Sequence, residues 1–353
     1  MPVSSHTLPR AETSTRMFAE AAEAPAVVLR QLAANAAPLG ALAQRLQRAD
    51  PRVIFTCARG SSDHAATFAK YLFESHLGIA TVSYAPSLSS IGGGALRHMV
   101  GQPFIAVSQS GRSPDLIAAA QAARKEGALV IALVNDTSAP LVDAADVVIP
   151  LHAGPETSVA ATKSYIAAIA AIAQLASLWR PEAALTHGVA MLPDALEQAW
   201  AADWSAAAAM LTDARGLFVL GRGLTLGIAQ EAALKTKECC GLHGEAFSLA
   251  EVAHGPMALV GPDLPLLVLP PQGVGSEGLG PMLTGFATRG APVAVAGTAL
   301  PGTTALPLAA GLHPVTATAA MVQSTYRLIN HVALARGLDP DHPPLLNKVT
   351  ETR

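Results

Sequence analysis

The stretch that decides the fold is residues 53–77, VIFTCARGSSDHAATFAKYLFESHL. It opens with a compact apolar run, Val53 to Cys57, of the kind found in strands that are buried on both faces of a parallel sheet. The turn Arg59-Gly60-Ser61-Ser62 follows, and a helical stretch from Asp63 to Leu77 comes next. A strand, a turn and a helix in this order predict the first part of a βαβ unit.

The same alternation continues on both sides of this stretch. Helical spacing of apolar residues precedes it over residues 17–50. Downstream, the sequence predicts strands at 104–107, 129–134 and 147–149, a helix from Pro114 to Glu126, and a long helix from about Thr157. We therefore expect right-handed crossovers and a parallel sheet that helices cover on both faces.

The second half of the chain repeats this pattern. Leu217 to Gly221 leads through Arg222-Gly223 into a helical stretch from Leu226 to Glu238. Further strands are predicted at 264–269 and 293–295, and a closing helix at 316–336. The pattern predicts an α/β protein of two tandem domains, each a flavodoxin-like or Rossmann-like three-layer sandwich. A linker is expected within 182–200, where Pro181 and Pro193 fall between helical segments.

Composition excludes several classes of protein. The 353 residues are 51% hydrophobic and 14% charged, which excludes a disordered chain. The net charge is −3 without a Lys/Arg-rich run, so neither nucleic acid nor membrane is an expected partner. The most apolar long stretch, Tyr165 to Trp179, is too short to span a bilayer, and residues 1–16 lack an apolar signal core. Three cysteines outside any CxxC pair indicate a reducing compartment, and we expect a cytoplasmic protein.

Two hydroxyl-rich turns of the first half mark a candidate anion site. They are Gly60-Ser61-Ser62 and Ser108-Gln109-Ser110-Gly111-Arg112-Ser113, and each joins the carboxyl end of a predicted strand to a helix. Free N–H groups at helix starts favour anions such as phosphate, and ligands of open parallel sheets bind at this edge. Singly, the serines are equally compatible with ordinary helix caps. The corresponding turn of the second half, residues 269–273, has no hydroxyl, and no GxGxxG follows either strand, which argues against a dinucleotide.

These residues resemble the SIS (sugar isomerase) family, in particular the isomerase half of glucosamine-6-phosphate synthase and stand-alone amino-sugar-phosphate deaminases. The resemblance covers the chain from about residue 17 to the end, through Ser108–Gly111 and the motifs at 159–163, 234–238, 245–246, 254–256 and 348–351. It implies two tandem SIS domains, in which Gly60, Ser62, Ser108, Gln109, Ser110 and Ser113 bind the sugar phosphate. Ala161 replaces a serine that is frequent in the family, which leaves any sugar contact at this position to backbone atoms.

The implied division is an N-terminal helical extension at 1–30, a phosphate-binding SIS domain at 31–190, a catalytic SIS domain at 200–340 and a tail at 341–353 that closes the site.

Lys235 and Glu238 lie three residues apart in a predicted helix and therefore share one face. Alone, such a pair is typical of a surface salt bridge. By resemblance, Glu238 is the base that moves a proton between C2 and C1 of an open-chain sugar, and Lys235 stabilises the enediol-type oxygen charge or fixes the open chain.

The resemblance also implies roles for His254 and Lys348. His254 sits in a predicted His-Gly-Pro turn, where a histidine either caps the turn or transfers protons during opening of the sugar ring. In the family this histidine reaches a neighbouring subunit's site, which implies a homodimer. Lys348 forms an imine with a keto sugar or closes the pocket; from sequence alone, a solvated terminal charge fits equally. The spacings of His243, Glu245 and His254 match no zinc motif, so we expect neither metal nor cofactor.

The synthase uses an N-terminal cysteine to release ammonia from glutamine, whereas the first cysteine here is Cys57. We therefore expect no glutaminase domain and an enzyme that converts glucosamine-6-phosphate into fructose-6-phosphate and ammonia. The alternatives are a deaminase, deglycase or aldose–ketose isomerase for a related sugar (galactosamine-6-phosphate, tagatose-6-phosphate or fructosamine-6-phosphate), or a non-catalytic sugar-phosphate sensor.

Overall fold

The computed structural model describes residues 12–348 except 93, 95, 274 and 277. Its strands are β1 Val53–Cys57, β2 Ala80–Ser83, β3 Pro103–Ser108, β4 Leu129–Val134, β5 Val147–Pro150, β6 Gly216–Gly221, β7 His243–Ser248, β8 Leu266–Val268, β9 Val293–Ala296 and β10 Thr304–Leu306. The α-helices are α1 Arg16–Ala22, α2 Ala24–Ala49, α3 Ser61–Leu72, α4 Ser87–Ser90, α5 Pro114–Lys125, α6 Lys163–Trp179, α7 Ala183–Ala190, α8 Leu192–Ala201, α9 Ser205–Thr212, α10 Leu224–Cys240, α11 Leu249–Val252, α12 Leu279–Thr288 and α13 Pro314–Ala335.

The strands form two parallel five-stranded sheets flanked by helices. The first has the order β2-β1-β3-β4-β5, and every residue of β3 and β4 is buried, as their unbroken apolar runs predict. The second has the order β7-β6-β8-β9-β10. In both sheets the first strand lies between the second and the third. Each sheet therefore has a topological switch point, β1/β3 in one and β6/β8 in the other.

Helices α3 and α10 connect the two halves. They follow β1 and β6 respectively, and they pack directly against each other. Gly227 of α10 permits this contact, because a Cβ there would lie 2.6 Å from the His64 carbonyl oxygen and 3.0 Å from the Phe68 nitrogen. A larger residue would separate the two helices.

By length and composition alone, α2 is the one helix among the described residues that could cross a membrane. It packs against α6, and Val28, Leu39 and Leu46 on its inner face are fully buried. The core helix of a globular protein has these same properties.

Most predicted elements are present, with two corrections. The long helix expected from Thr157 begins only at Lys163, and residues 151–162 form an irregular segment in which carboxylates accept from the N–H groups of Thr157 and Thr162. The linker expected within 182–200 is almost entirely helical, since Pro193 starts α8 instead of breaking it. The sequence did not predict strands β2, β7 and β10 or helix α12. Strands β2 and β7 lie at sheet edges and are partly exposed.

Candidate active site

The first hydroxyl-rich turn follows β1 and starts α3. Gly60 occupies the N-cap position with φ +54° and ψ −133°, a conformation that favours glycine. A Cβ at this position would meet nothing within 4 Å, so the backbone is open to an approaching ligand. Ser61 and Ser62 form the first turn of α3 and are half-buried. Their position at the helix start suits a bound anion.

The second turn follows β3, which pairs directly with β1. The Ser108 hydroxyl accepts a hydrogen bond from the Gly111 N–H at 2.9 Å, which folds the turn back on the strand end. Gly111 has φ +63°, and a Cβ there would lie 2.6 Å from the Ala139 Cβ. Ser113 takes the N-cap position of α5, with Pro114 next to it as predicted, but its hydroxyl makes no capping hydrogen bond.

An ion pair joins the two turns. The Arg59 Nε donates to Asp115 Oδ2 at 2.8 Å, and the Asp115 side chain is buried at the start of α5. The two serine turns are thus fixed side by side at the β1/β3 switch point. We call the set Gly60, Ser62, Ser108, Gln109, Ser110 and Ser113 the cradle.

Helix α10 brings Lys235 and Glu238 to the edge of the cradle. The Lys235 ammonium lies 2.6 Å from Glu238 Oε2 and donates to the Ser61 hydroxyl at 3.1 Å. Lys235 is 1% exposed, whereas the Glu238 side chain is 21% exposed. A buried cation therefore holds a partly open carboxylate next to the serine turn.

A fully buried carboxylate, Glu231, supports this pair from one helical turn away. Its Oε1 lies 3.5 Å from the Lys235 ammonium and accepts from the Tyr326 hydroxyl at 3.1 Å. Its Oε2 lies 3.0 Å from His64 Nδ1. Burial alone would raise the pKa of Glu231, but Lys235 and His64 hold that pKa below its usual value. Burial would likewise lower the pKa of Lys235, but Glu231 and Glu238 outweigh it and raise that pKa, so the lysine stays charged.

On its other side, Glu238 lines a cavity of about 540 Å³. Leu234 and Lys237 of α10 form one wall, and Leu338, Pro344 and Leu346 of the C-terminal segment form another. The C-terminal segment is held by Asp341, whose buried carboxylate accepts from the Arg16 and Met17 N–H groups at the start of α1. The segment therefore covers the cavity next to Glu238.

The same segment places Lys348 against residues 151–162. Its ammonium donates to the Ser158 carbonyl at 2.8 Å and lies 3.4 Å from Glu156 Oε2. Glu156 is itself buried, and its Oε1 accepts from the N–H groups of Thr162 and Ser164. The rest of the predicted tail motif, residues 349–351, lies outside the described residues.

Two predicted site residues stand apart from this cluster. His254 lies exposed in the turn after α11, where its backbone N–H donates to the Glu251 carbonyl at 2.9 Å. Over residues 12–348 we find no side-chain contact between His254 and Lys235 or Glu238. Ala161 is half-buried in the irregular segment before α6.

A family model for the SIS domain matches residues 49–178. A candidate phosphosugar isomerase from Silicibacter pomeroyi DSS-3 is 36% identical, and its crystal structure superposes with a TM-score of 0.88 over 93% of this chain and all of that one. The chain belongs to the SIS family. It is also 34% identical over 308 residues to the isomerizing glutamine–fructose-6-phosphate aminotransferase of Methanothermobacter thermautotrophicus, a match that covers 84% of this chain and 51% of the relative. The chain spans about half the length of the curated relatives it matches.

A glucosamine-6-phosphate deaminase from Thermotoga maritima has a TM-score of 0.76 over 97% of this chain and all of its own, at 18% identity. At that identity the likeness concerns the fold alone. The SIS family expected from the sequence motifs is confirmed by the family-model match and by the 36% identical structure.

Sequence reasoning missed four polar residues that organise this SIS protein's site. They are His64, Glu231, Tyr326 and Glu156. The side chain of His64 is 18% exposed, and the other three residues are buried. Glu231 and Lys235 are four residues apart, which is a helical contact spacing and could have indicated the pair. No local pattern could have assigned His64 or Tyr326 to Glu231, because they come from other helices.

Proposed function

We propose that this chain is an amino-sugar-phosphate deaminase that converts glucosamine-6-phosphate and water into fructose-6-phosphate and ammonia. The observation that carries the proposal is the Lys235 ammonium, which touches both the carboxylate of Glu238 and the serine turn that starts the cradle. A sugar held by its phosphate in the cradle would present its reacting end to groups next to that turn.

In this mechanism the cradle binds the phosphate, and Glu238 takes the proton from C2 of the open-chain sugar and returns it to C1. Lys235 stabilises the charge that develops on the sugar between the two proton transfers. The C2 amine becomes an imine in this step. Water then adds to the imine carbon, and the C–N bond breaks to leave the ketone and ammonia, so no redox change is needed.

None of the three cysteines of this sequence is exposed as a nucleophile. All three in this sequence are buried, and burial raises the pKa of the Cys57 and Cys240 thiols to about 12. These thiols therefore stay protonated and poorly nucleophilic at neutral pH.

The remaining roles are part of the same proposal. His254 opens the sugar ring from a neighbouring subunit of a homodimer, which fits its exposed position away from Glu238 in its own chain. Lys348 closes the site or forms an imine with the keto sugar, and Ala161 offers backbone atoms to the sugar. The two sheets correspond to two tandem SIS domains, and the reduced, buried cysteines fit a cytoplasmic protein.

The test is incubation of the purified chain with glucosamine-6-phosphate while ammonia and fructose-6-phosphate are measured together. We expect equal amounts of both, and a fall in kcat of about 10²–10⁴-fold in Glu238→Gln. Glu197→Gln, which changes an exposed glutamate of α8, is the matched control and should retain full activity.

Other outcomes identify the alternatives. Turnover of galactosamine-6-phosphate or a fructosamine phosphate alone would make the chain a related deaminase or deglycase. Interconversion of aldose and ketose phosphates without ammonia would make it an isomerase. Tight sugar-phosphate binding without turnover, unchanged in Glu238→Gln, would indicate a sensor.

A further inference from the structure

Helices α3 and α10 share a buried polar contact between His64 and Glu231. His64 of α3 lies with its Nδ1 atom 3.0 Å from Glu231 Oε2 of α10, and these side chains are 18% and 0% exposed. Three residues before His64, Ser61 starts the serine turn, and one helical turn after Glu231 comes Lys235. The contact therefore joins the helix that carries part of the cradle to the helix that carries the proposed base.

The His64 imidazole donates to one oxygen of Glu231, whose carboxylate also interacts with Lys235, Tyr326 and the Ser61 hydroxyl. A carboxylate only accepts hydrogen bonds, so the imidazole Nδ1 donates to Oε2, while Oε1 accepts from Tyr326 at 3.1 Å and faces the Lys235 ammonium at 3.5 Å. A buried carboxylate oxygen that loses its donor is strongly disfavoured. Without the imidazole, Glu231 would rotate toward the nearest remaining cation, which is Lys235.

We propose that His64 is a positioning residue for the proton-transfer step. By holding Glu231 on its far side, it keeps Lys235 shared among Glu231, Glu238 and Ser61. In the wild type the Lys235 ammonium lies 2.6 Å from Glu238 Oε2 and 3.1 Å from the Ser61 hydroxyl. Loss of His64 lets Glu231 draw the ammonium away from both groups. The base and the cation then lose their alignment with the sugar, although the cradle itself is unchanged. This inference rests on the deaminase function proposed above.

The prediction is a selective loss of kcat. In His64→Ala we expect kcat for glucosamine-6-phosphate to fall about tenfold or more, with KM changed less than about threefold, because phosphate binding is retained. His64→Asn should recover most of kcat, because its amide N–H₂ can donate from nearly the same place as Nδ1.

The matched control is His76→Ala. His76 lies in the turn that follows α3 and also pairs with a glutamate, Glu182, at 3.4 Å. It is not part of the Lys235 cluster, so its loss should leave kcat and KM unchanged. Thermal unfolding of all four proteins separates an effect on folding from one on turnover.

Each outcome is decisive. If the wild type is active, two results overturn the positioning role and leave the proposed function standing. One is a His64→Ala variant that keeps its kcat, and the other is a loss of kcat that His64→Asn does not restore. A wild type that turns over no sugar phosphate overturns the proposed function, and this inference with it.

Discussion

Replacement of Lys235 by methionine tests the buried charge cluster most directly. The lysine is 1% exposed and neutralises Glu231, which is 0% exposed, while Glu238 is partly open to solvent. Methionine retains much of the length and apolar volume of the lysine side chain but removes the positive charge. The variant therefore leaves a buried carboxylate without its cation, whereas Glu238 can still be solvated.

The expected loss is set by that uncompensated charge. Removing one partner of a buried ion pair typically costs about 3–5 kcal/mol of the free energy of unfolding. In the wild type the pKa of Glu231 lies below its usual value. The ionised carboxylate therefore stabilises the folded protein at pH values above the unfolded-state pKa, and this contribution is lost as the pH falls through the folded-state pKa. In Lys235→Met the largest influence that lowers this pKa is gone while the desolvation by burial remains, so the pKa rises and protonation at lower pH relieves the buried charge. The difference between wild type and variant should therefore shrink from pH 7 to pH 5.

The assay is urea denaturation followed by tryptophan fluorescence at both pH values. Lys237→Met is the matched control: Lys237 is exposed on the same helix and donates to the Gly244 carbonyl at 2.9 Å, so its loss should cost about 1 kcal/mol or less. The double variant Glu231→Gln with Lys235→Met should recover at least about half of the lost stability, because it removes the unpaired charge.

The reasoning is refuted if Lys235→Met costs less than about 1 kcal/mol at pH 7, or if its cost does not depend on pH. A double variant no more stable than the single one would show that packing of the lysine stem, and not its charge, stabilises this part of the core.

Two further predictions concern backbone geometry and thiol reactivity. Gly111→Ala should lower the free energy of unfolding by about 2–5 kcal/mol in equilibrium denaturation, since its Cβ would lie 2.6 Å from the Ala139 Cβ at a φ of +63°. Gly60→Ala has open space around it and should cost only the backbone strain at φ +54° and ψ −133°, about 1–3 kcal/mol. Because the thiols of Cys57 and Cys240 are buried with pKa values of about 12, native protein at pH 8 should not react with a thiol-specific disulfide reagent, and all three cysteines should react in guanidinium. Rapid labelling of the native protein would contradict this description of the core.

Much of the fold could be predicted because its signals are local. The apolar runs at Val53–Cys57 and Leu129–Val134 have the same bounds as β1 and β4. A strand buried on both faces needs such a run wherever it occurs, so its position is written in consecutive residues. The edge strands β2 and β7 escaped because they are partly exposed and carry no continuous apolar signal.

The start of α6 shows a local signal that misled. Residues 157–162 are compatible with a helix, yet Glu20 of α1 accepts from the N–H groups of Thr157 and Ser158, and Glu156 accepts from that of Thr162. A helix would pair the Thr162 N–H with the Ser158 carbonyl, but Glu156 accepts from the first and Lys348 donates to the second, so the segment stays irregular. Lys348 reaches the segment only through the packing of the C-terminal residues, which no sequence window contains.

For the site, the sequence by itself determined the family, the serine turns and the shared helix face of Lys235 and Glu238, because these are short-range features. The tertiary structure alone decided which groups complete them. His64 meets Glu231 across 167 residues, Tyr326 meets it across 95, and Lys348 meets Glu156 across 192. A buried polar atom must find its partner where the packed helices bring one within hydrogen-bond distance, and helix packing is a property of the whole core.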